Sequence, residues 1–495
     1  MKLDVTHPEY VEAFPLWEKM KDCYEGEDKI KKKGVKYLPM TQSMKTEYPS
    51  GFVNTVNYMG LWNTDSHYYA YTQRAIFYDY VHDAVKAMMG LLHRESPIIE
   101  LPDELEYMRK TASIFREGLF EVLRRINEQQ LIYGRVGILL DLSKDELGKA
   151  VPYLALYGSE RIKNWCYTNI TDQKIPYLNY VCLDESGSEF EEGKWEFKKK
   201  SRVLLLNEET YQTALCHNDQ FIDTDLITPS SQVGSLNQIP FVFIGSQNIL
   251  PDIAPPPLLG LANLCLAIYR NEADYEQNLF MQAQDTLVIK DAVLGQEKKD
   301  IAIGAGNRID LSYNGDAYYI GVTGNGLTEQ RIALENLKSQ ALQKAGQFVT
   351  SAQKESGDAM AIRLGSQTAM LTQIALTGAK GLETILKTAA SWIGANPDEV
   401  SVKPNLDFTN DTLSGGDLKE LMAFTMAGGL SKQSLHEYVK SKGFTDLTYE
   451  EEQEQIQAEQ EAGHFLNTQV TTANDAQPSD IAAQDQEAMD ENPVP

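Results

Sequence analysis

Through the first 135 residues, apolar positions return every three to four places, the spacing of one helix face. The stretch from Pro8 reads helical, with Pro15 as a kink or break and Gly26 as its end. The basic run EDKIKKKGVKYLP then leads into a loop, and residues 41–65 form an aperiodic excursion rich in turn formers and aromatics. Helical spacing returns from Ser66 to Gly90, where Ala75, Tyr78, Val81, Val85, Met88 and Met89 mark one side. It recurs from Arg116 to Tyr133 through Leu119, Leu123, Ile126, Gln130 and Tyr133, and Gly134 closes that helix. Past Gly134 the rhythm changes. GILLDL, YLALYG, YLNYVCL, KWEFKKKSRVLLL and PFVFIG read as strands, with a hairpin turn at Gly187. Helices followed by β-ribbons predict an α+β fold, not a wound parallel sheet.

Pro255, Pro256 and Pro257 stop the chain before a helix from about Leu258 to Gln284, roughly 40 Å long at 1.5 Å per residue. Leu261, Leu264, Cys265, Ile268, Tyr275 and Leu279 cover one side of it, and Asn263, Arg270, Asn271, Asp274, Gln277 and Asn278 the other. Its early residues are apolar nearly all round, so that end belongs in a core. Residues 285–325 switch to short β segments separated by glycines. A second long helix runs from Thr328, as N-cap, to about Ala352. Leu334, Leu337, Ala341, Ala345 and Phe348 form its stripe, opposite Asn336, Ser339, Gln340, Gln343, Gln347 and Thr350. Arg331, Glu335 and Lys338 flank one edge of that neutral polar face and Lys344 the other. The loop QKESGDAMA breaks this helix. A third follows from about Ile362 to Ile393, weakened or bent at Gly378 and Gly381. SVKPNLDF reads as a returning strand, then come two short helices split by Gly428–Gly429 and closed by Gly443.

Charge alters this picture at one end. The chain of 495 residues has a formal charge of −26, yet 13 acidic residues and no Lys or Arg lie from Asp446 to Pro495, leaving −13 elsewhere. That tail reads as a solvated terminus, disordered over about 465–495, with a docking signal as the alternative. An acidic chain lacks the clustered Lys and Arg that tight phosphate contacts require. Cys23, Cys166, Cys182, Cys216 and Cys265 are scattered without a CxxC, which fits a reducing compartment and neither a disulfide frame nor a zinc site. The start, MKLDVTHPEYVEAF, has no apolar core of a signal peptide, and the apolar run from Leu258 is too short to cross a bilayer.

Catalytic signatures are sparse. GAGNRI at 304–309 is glycine-containing but no GxxxxGK[ST] exists, and no HExxH, EF-hand loop or GxSxG occurs. His436 beside Glu437 reads as a surface pair. Asp141 and Asp145 flank a strand end, a common place for catalytic acids, but without evident partners. Enzyme is the weaker class.

The order of these parts, with HPEYVEAFPLWEKMKDCYEG, GVKYLP, YGRVGILLDL, ERIKNW, IPFVFIG and PPPLLGLANLCLAIYRNEADYEQN, resembles the portal proteins of tailed bacteriophages over roughly residues 5–410. The aromatic-rich stretch from Phe52 to Tyr71 departs from that pattern by its length. The resemblance implies a portal-type fold: an α+β wing (1–257), a long-helix stem (258–284 and 327–352), a small β-rich clip (285–326) and a helical crown (411–464). Residues 353–410 would hold the tunnel loop, the long wing helix and the returning strand. It implies a dodecameric homo-oligomeric ring at one capsid vertex, through which double-stranded DNA passes without sequence specificity. Its partners would be terminase, head-completion or adaptor proteins, and the major capsid and scaffolding proteins, with no membrane, no cofactor and no enzymatic activity. Assembly would take place in the host cytoplasm and the product would reside in the virion. Asn336, Ser339, Gln340, Gln343 and Gln347, with Lys338 and Lys344, would line the channel, and Gln353, Lys354, Glu355, Ser356, Gly357 and Asp358 would form the tunnel loop. A cytosolic enzyme with an atypical site and a non-viral oligomeric scaffold stay open as alternatives.

Overall fold

A computed structural model describes residues 5–47, 67–144, 150–168, 177–207, 209–217, 226–231, 233–282, 286–290, 313–320, 326–346, 357–408, 415–441, 445 and 447–461. The chain divides into two compact units, Met1–Phe408 and Thr409–Pro495. The fold class is α+β, with all named strand pairs antiparallel.

In the first unit, α1 (Pro8–Glu25) starts with Pro8 at a position that needs no N–H, and the His7 Nδ1 accepts from the Glu9 amide. Pro15 lies inside this helix and does not end it. The reason is tertiary: Trp17, Met20 and Cys23 beyond it are fully buried, and the Trp17 indole donates to the Tyr133 carbonyl at 3.0 Å. Gly26, at φ +91°, makes the stop. The expected loop after it is a helix, α2 (Glu27–Lys33), followed by α3 (Gln42–Glu47). Glu27 and Asp28 sit at the positive end of α2 and Lys31 to Lys33 at its negative end, while Ile30 is buried. The helix expected over Ser66–Gly90 is two, α4 (His67–Arg74) and α5 (Tyr80–Leu92). The bend between them buries Ala75 and Phe77.

Next come β1 (Ile98–Glu100), α6 (Leu119–Tyr133), β2 (Arg135–Lys144), β3 (Ala150–Gly158), β4 (Ile162–Tyr167), β5 (Leu178–Asp184), β6 (Gly187–Glu191), β7 (Lys194–Lys198), β8 (Lys200–Asn207), β9 (Thr210–His217) and β10 (Phe241–Gly245). Gly134 closes α6 in the left-handed region, as its position implied. The strands form a three-stranded sheet ordered β10-β2-β3, a four-stranded sheet ordered β4-β5-β8-β9, and the separate hairpin β6-β7. That hairpin turns at Glu192–Gly193, both at positive φ, and Gly187 merely opens its first strand. The KWEFKKKSRVLLL segment is thus two strands in different sheets.

The unit is completed by α7 (Leu259–Gln282), β11 (Thr286–Lys290), β12 (Asp316–Ile320), α8 (Leu327–Gly346), α9 (Gly357–Ile393) and β13 (Ser401–Lys403). β11 pairs with β12, and β13 with β1 far earlier in the chain. SVKPNLDF is a strand only over its first three residues. Thr328 lies within α8 and is not its N-cap.

One core runs through α1, α5, α6, α7, α9 and the β10-β2-β3 sheet. Arg135 is buried at the start of β2, its guanidinium over the Trp165 ring at 4.4 Å and its Nη1 donating to the Pro251 carbonyl at 2.6 Å. Burial lowers its pKa to about 10. This bond ties the sheet to the proline-rich lead into α7.

Gly378 and Gly381, expected to weaken or bend α9, lie inside an unbroken helix and let it approach its neighbours. A Cβ at Gly378 would collide with the Asn127 amide, and one at Gly381 with the Ile244 side chain. The Asn127 amide is fixed, donating to Gln130 Oε1 at 2.9 Å, while Gln130 donates to the Gly245 carbonyl and to Thr377 Oγ1. Gly378→Ala is therefore expected to cost about 1–3 kcal/mol through overpacking, despite the better helix propensity of Ala. Gly90 in α5 faces open space, and Gly90→Ala should instead gain up to about 1 kcal/mol. Urea midpoints at constant slope read both; a stabilised Gly378→Ala protein contradicts the close-packing account.

In the second unit α10 (Gly415–Met426) and α11 (Lys432–Ser441) are joined by a third helix, α12 (Tyr449–Glu461), inside the acid-rich segment. Glu450, Glu451 and Glu452 occupy its first turn, where the helix dipole favours them, and the Thr448 side chain and the Glu451 carboxylate bond reciprocally across that turn. Residues 462–495, which include the tail expected to be disordered over about 465–495, lie outside the described residues.

Candidate functional site

The feature that needs a functional explanation is the pair α7 and α8 with the β11-β12 ribbon between them. The start of α7 is buried nearly all round, through Leu261, Ala262, Cys265, Leu266, Ile268 and Tyr269. Farther on the buried stripe narrows to Glu272 and Ala273, and Leu279 emerges exposed. Four polar residues of α7 have partners from other elements. The Tyr71 hydroxyl donates to Asp274 at 2.6 Å, Arg74 to Gln277 at 2.6 Å, and Lys19 to Asn263 at 3.1 Å. Asn278 donates to Gln330 of α8 at 3.1 Å, which joins the two helices near the ribbon.

On α8 the expected stripe is the buried one: Leu334, Ala341 and Ala345 are inside and Leu337 is half-buried. Asn336, Ser339, Gln340 and Gln343 are exposed together, within an arc of roughly 100° at 100° per residue. They form a neutral amide and hydroxyl surface. Lys344 is also exposed, at the margin of that arc. Ile332 lies near the middle of it, 48% exposed, and Leu342 is exposed on the far flank at 52%.

Lys338 is placed differently from the other residues of this set. Its ammonium donates to the Tyr78 hydroxyl at 2.7 Å, pairs with the buried Glu272 carboxylate at 3.0 Å, and stands 4.4 Å from the Tyr78 ring centroid. Burial pulls its pKa down, but those oxygens outweigh burial and hold it above the ordinary lysine value. Lys338 therefore faces α5 and α7 and serves the protomer's own packing.

Gln347, Gln353, Lys354, Glu355 and Ser356 lie outside the described residues. Gly357 and Asp358, expected in a loop, instead open α9, which spans 37 residues. Asp141 has partners after all. It accepts from Arg202 at 2.9 Å and from the Tyr153 hydroxyl at 3.0 Å, and Arg202 also binds Glu185 at 2.6 Å. This ion network staples the two larger sheets. Asp145 and residues 304–309 lie outside the described residues. Among the described residues, no group of three or more His, Cys, Asp or Glu could hold a metal ion, and no helix is long and apolar enough to cross a membrane.

Residues 257–393, which contain α7, α8 and α9, match a family model described as a domain of unknown function (DUF4055). No curated protein matches the chain. A similar solved structure is the "Neck of native GTA particle computed with C12 symmetry", at 15% identity and a TM-score of 0.38, covering 74% of this chain and 89% of that one. Likeness at that level decides neither fold detail nor function.

Proposed function

We propose that the chain is a phage-type portal subunit that assembles into a ring-shaped channel for double-stranded DNA. The observation that carries this reading is the exposed face of Asn336, Ser339, Gln340 and Gln343, backed by a buried stripe and without Lys or Arg inside its arc, although Glu329 lies on the same side in the first turn of α8. A surface that DNA must slide past cannot hold phosphates by clustered cations, because each such contact adds salt-dependent affinity. In this reading α7 and α8 form the stem, the β11-β12 segment belongs to the clip that meets the terminase and later adaptor proteins, and α9 crosses the wing. Lys338 drops out of the lumen set, since it is spent on Glu272 and Tyr78.

A ring needs stem helices to meet neighbours, and the apolar flank at Leu342 is the natural contact on α8. Ala341 is not a usable probe, because its side chain is wholly buried and an Asp there would unfold the protomer. Leu342→Asp should leave the monomer folded and abolish the ring, whereas Ile332→Asp, in the middle of the polar face, should leave ring mass unchanged. Native mass spectrometry with a circular dichroism control reads both. Wild-type protein that stays monomeric at every concentration, or Leu342→Asp rings of full mass, would count against this stem arrangement.

A further inference from the structure

The β6-β7 hairpin has two unlike faces. The register places Phe190 opposite Trp195 and Ser188 opposite Phe197, so the three aromatics share one side, while Glu189, Glu191, Lys194, Glu196 and Lys198 take the other. Lys198 pairs with Glu189 and Glu191, and Lys200 with Glu189. The charged side is thus occupied within the chain. The aromatic side is not: Phe190, Trp195 and Phe197 are 61%, 71% and 72% exposed. Phe190 and Trp195 touch each other, with ring centroids 5.4 Å apart, yet most of the three rings' surface stays in water, which marks a contact surface.

A matching receptacle exists in the same unit. A cavity of about 580 Å³ is lined by Tyr167, Tyr177, Leu178, Leu206, Ile239 and Phe241, with Glu209, Asn237 and Gln238 completing its wall. Its lining is mixed, and the Tyr167, Tyr177 and Phe241 rings offer faces against which other rings can pack. The carboxylate and amide oxygens of Glu209, Asn237 and Gln238 can accept an indole N–H.

The two features cannot satisfy each other within one copy. The hairpin leaves the four-stranded sheet between Asp184 of β5 and Lys200 of β8, while the cavity lies at Leu178 and Leu206, the other end of those same strands. Seven residues of β5 separate them, about 20 Å at 3.3 Å per residue. Knob and receptacle at opposite ends of one sheet make a heterologous contact, which joins copies head to tail and closes into a ring when the rotation allows.

We infer that the β6-β7 hairpin of one subunit inserts Trp195 and Phe190 into this cavity of the adjacent subunit. The inference rests on the ring reading for its second copy. Trp195 is the central anchor, and Trp195→Ser should raise the concentration at which rings dissociate by at least about 30-fold, as loss of a hot-spot aromatic does. Hairpin side chains are exposed, so the protomer fold is unaffected.

The test is a cysteine pair, Ser188→Cys on the aromatic side of the hairpin with Gln238→Cys, in full-length protein with Cys166→Ser, since Cys166 is the exposed native thiol. Oxidation should produce a ladder of covalent multimers on a non-reducing gel, absent from each single-cysteine control. Rings that form normally yet give no ladder, or rings unmoved by Trp195→Ser, overturn the hairpin contact while the ring reading stands. A cross-link confined to single chains overturns it equally, because the hairpin would then reach its own cavity. Wild-type protein that forms no rings overturns the proposed function and this contact with it.

Discussion

Lys338→Met is expected to lower the unfolding free energy by about 3–5 kcal/mol, the largest stability effect among the α7–α8 residues. The cost comes from what it leaves behind. Glu272 is 4% exposed, and its carboxylate is paired with the Lys338 ammonium at 3.0 Å. Removing the cation strands a charge away from water, which is dearer than losing the pair itself. The double variant Lys338→Met with Glu272→Leu should therefore recover most of the loss, since apolar groups of similar volume replace a buried pair nearly neutrally. Tyr78, stacked on Tyr80 with ring centroids 5.6 Å apart, supplies an aromatic wall for the new side chains. Urea unfolding of the two single variants and the double, as a thermodynamic cycle, measures the coupling. The pH dependence follows from the raised pKa of Lys338: its contribution is complete below the unfolded value of 10.5 and disappears only as pH climbs through the higher folded value. A Lys338→Met protein within 1 kcal/mol of wild type would return this lysine to the solvent side of the helix.

That lysine also shows where reading the chain one helix at a time stops working. Periodicity found the stripe of α8 correctly, because Leu334, Ala341 and Ala345 bury against α7 and α5 in the register that 3.6 residues per turn dictates. It could not assign Lys338, at the edge of that stripe, because its partners Tyr78 and Glu272 come from distant sequence. The same holds for α7, whose polar residues share one side by spacing alone. Asp274 and Gln277 are held by Tyr71 and Arg74, each 203 positions away. A helical wheel cannot reveal such bonds.

Glycine and proline behaved by local rule only where packing did not compete. Gly26 and Gly134 end helices at positive φ, where a side chain is strained. Gly378 and Gly381 carry no such geometry and are explained by the neighbours touching them. At Pro15, expected as a kink or break, there is no break: its missing N–H weakens the helix, but Trp17, Met20 and Cys23 bury beyond it and keep α1 continuous. Charge patterning supports α2 and α12 through acidic residues at their first turns. Of the candidate site, the neutral face was legible because four polar residues recur at helical spacing. The break before α9 was placed too late: Gly357 and Asp358 suggested loop chemistry, yet the helix already includes them.

In an assembled ring, the variant Gln340→Arg with Gln343→Arg should slow DNA passage by about tenfold or more at low salt, with partial recovery as salt rises. Both glutamines are exposed on one side of α8, near Asn336 and Ser339. If that side faces a lumen, every subunit adds two guanidiniums that bind phosphate oxygens in forked pairs, and the conduit becomes a set of traps. Salt screens such contacts and releases fewer counterions on binding, so the defect must shrink with ionic strength. Replacing the same pair by Asn keeps the face neutral and should leave transport unchanged, which separates charge from shape. The buried stripe is untouched, so ring mass should match wild type. If the face instead packs on a neighbour, two buried unpaired cations block assembly, and native mass spectrometry reports that before any transport assay. Packaging at the normal rate in a fully assembled double-Arg ring would remove this face from the lumen.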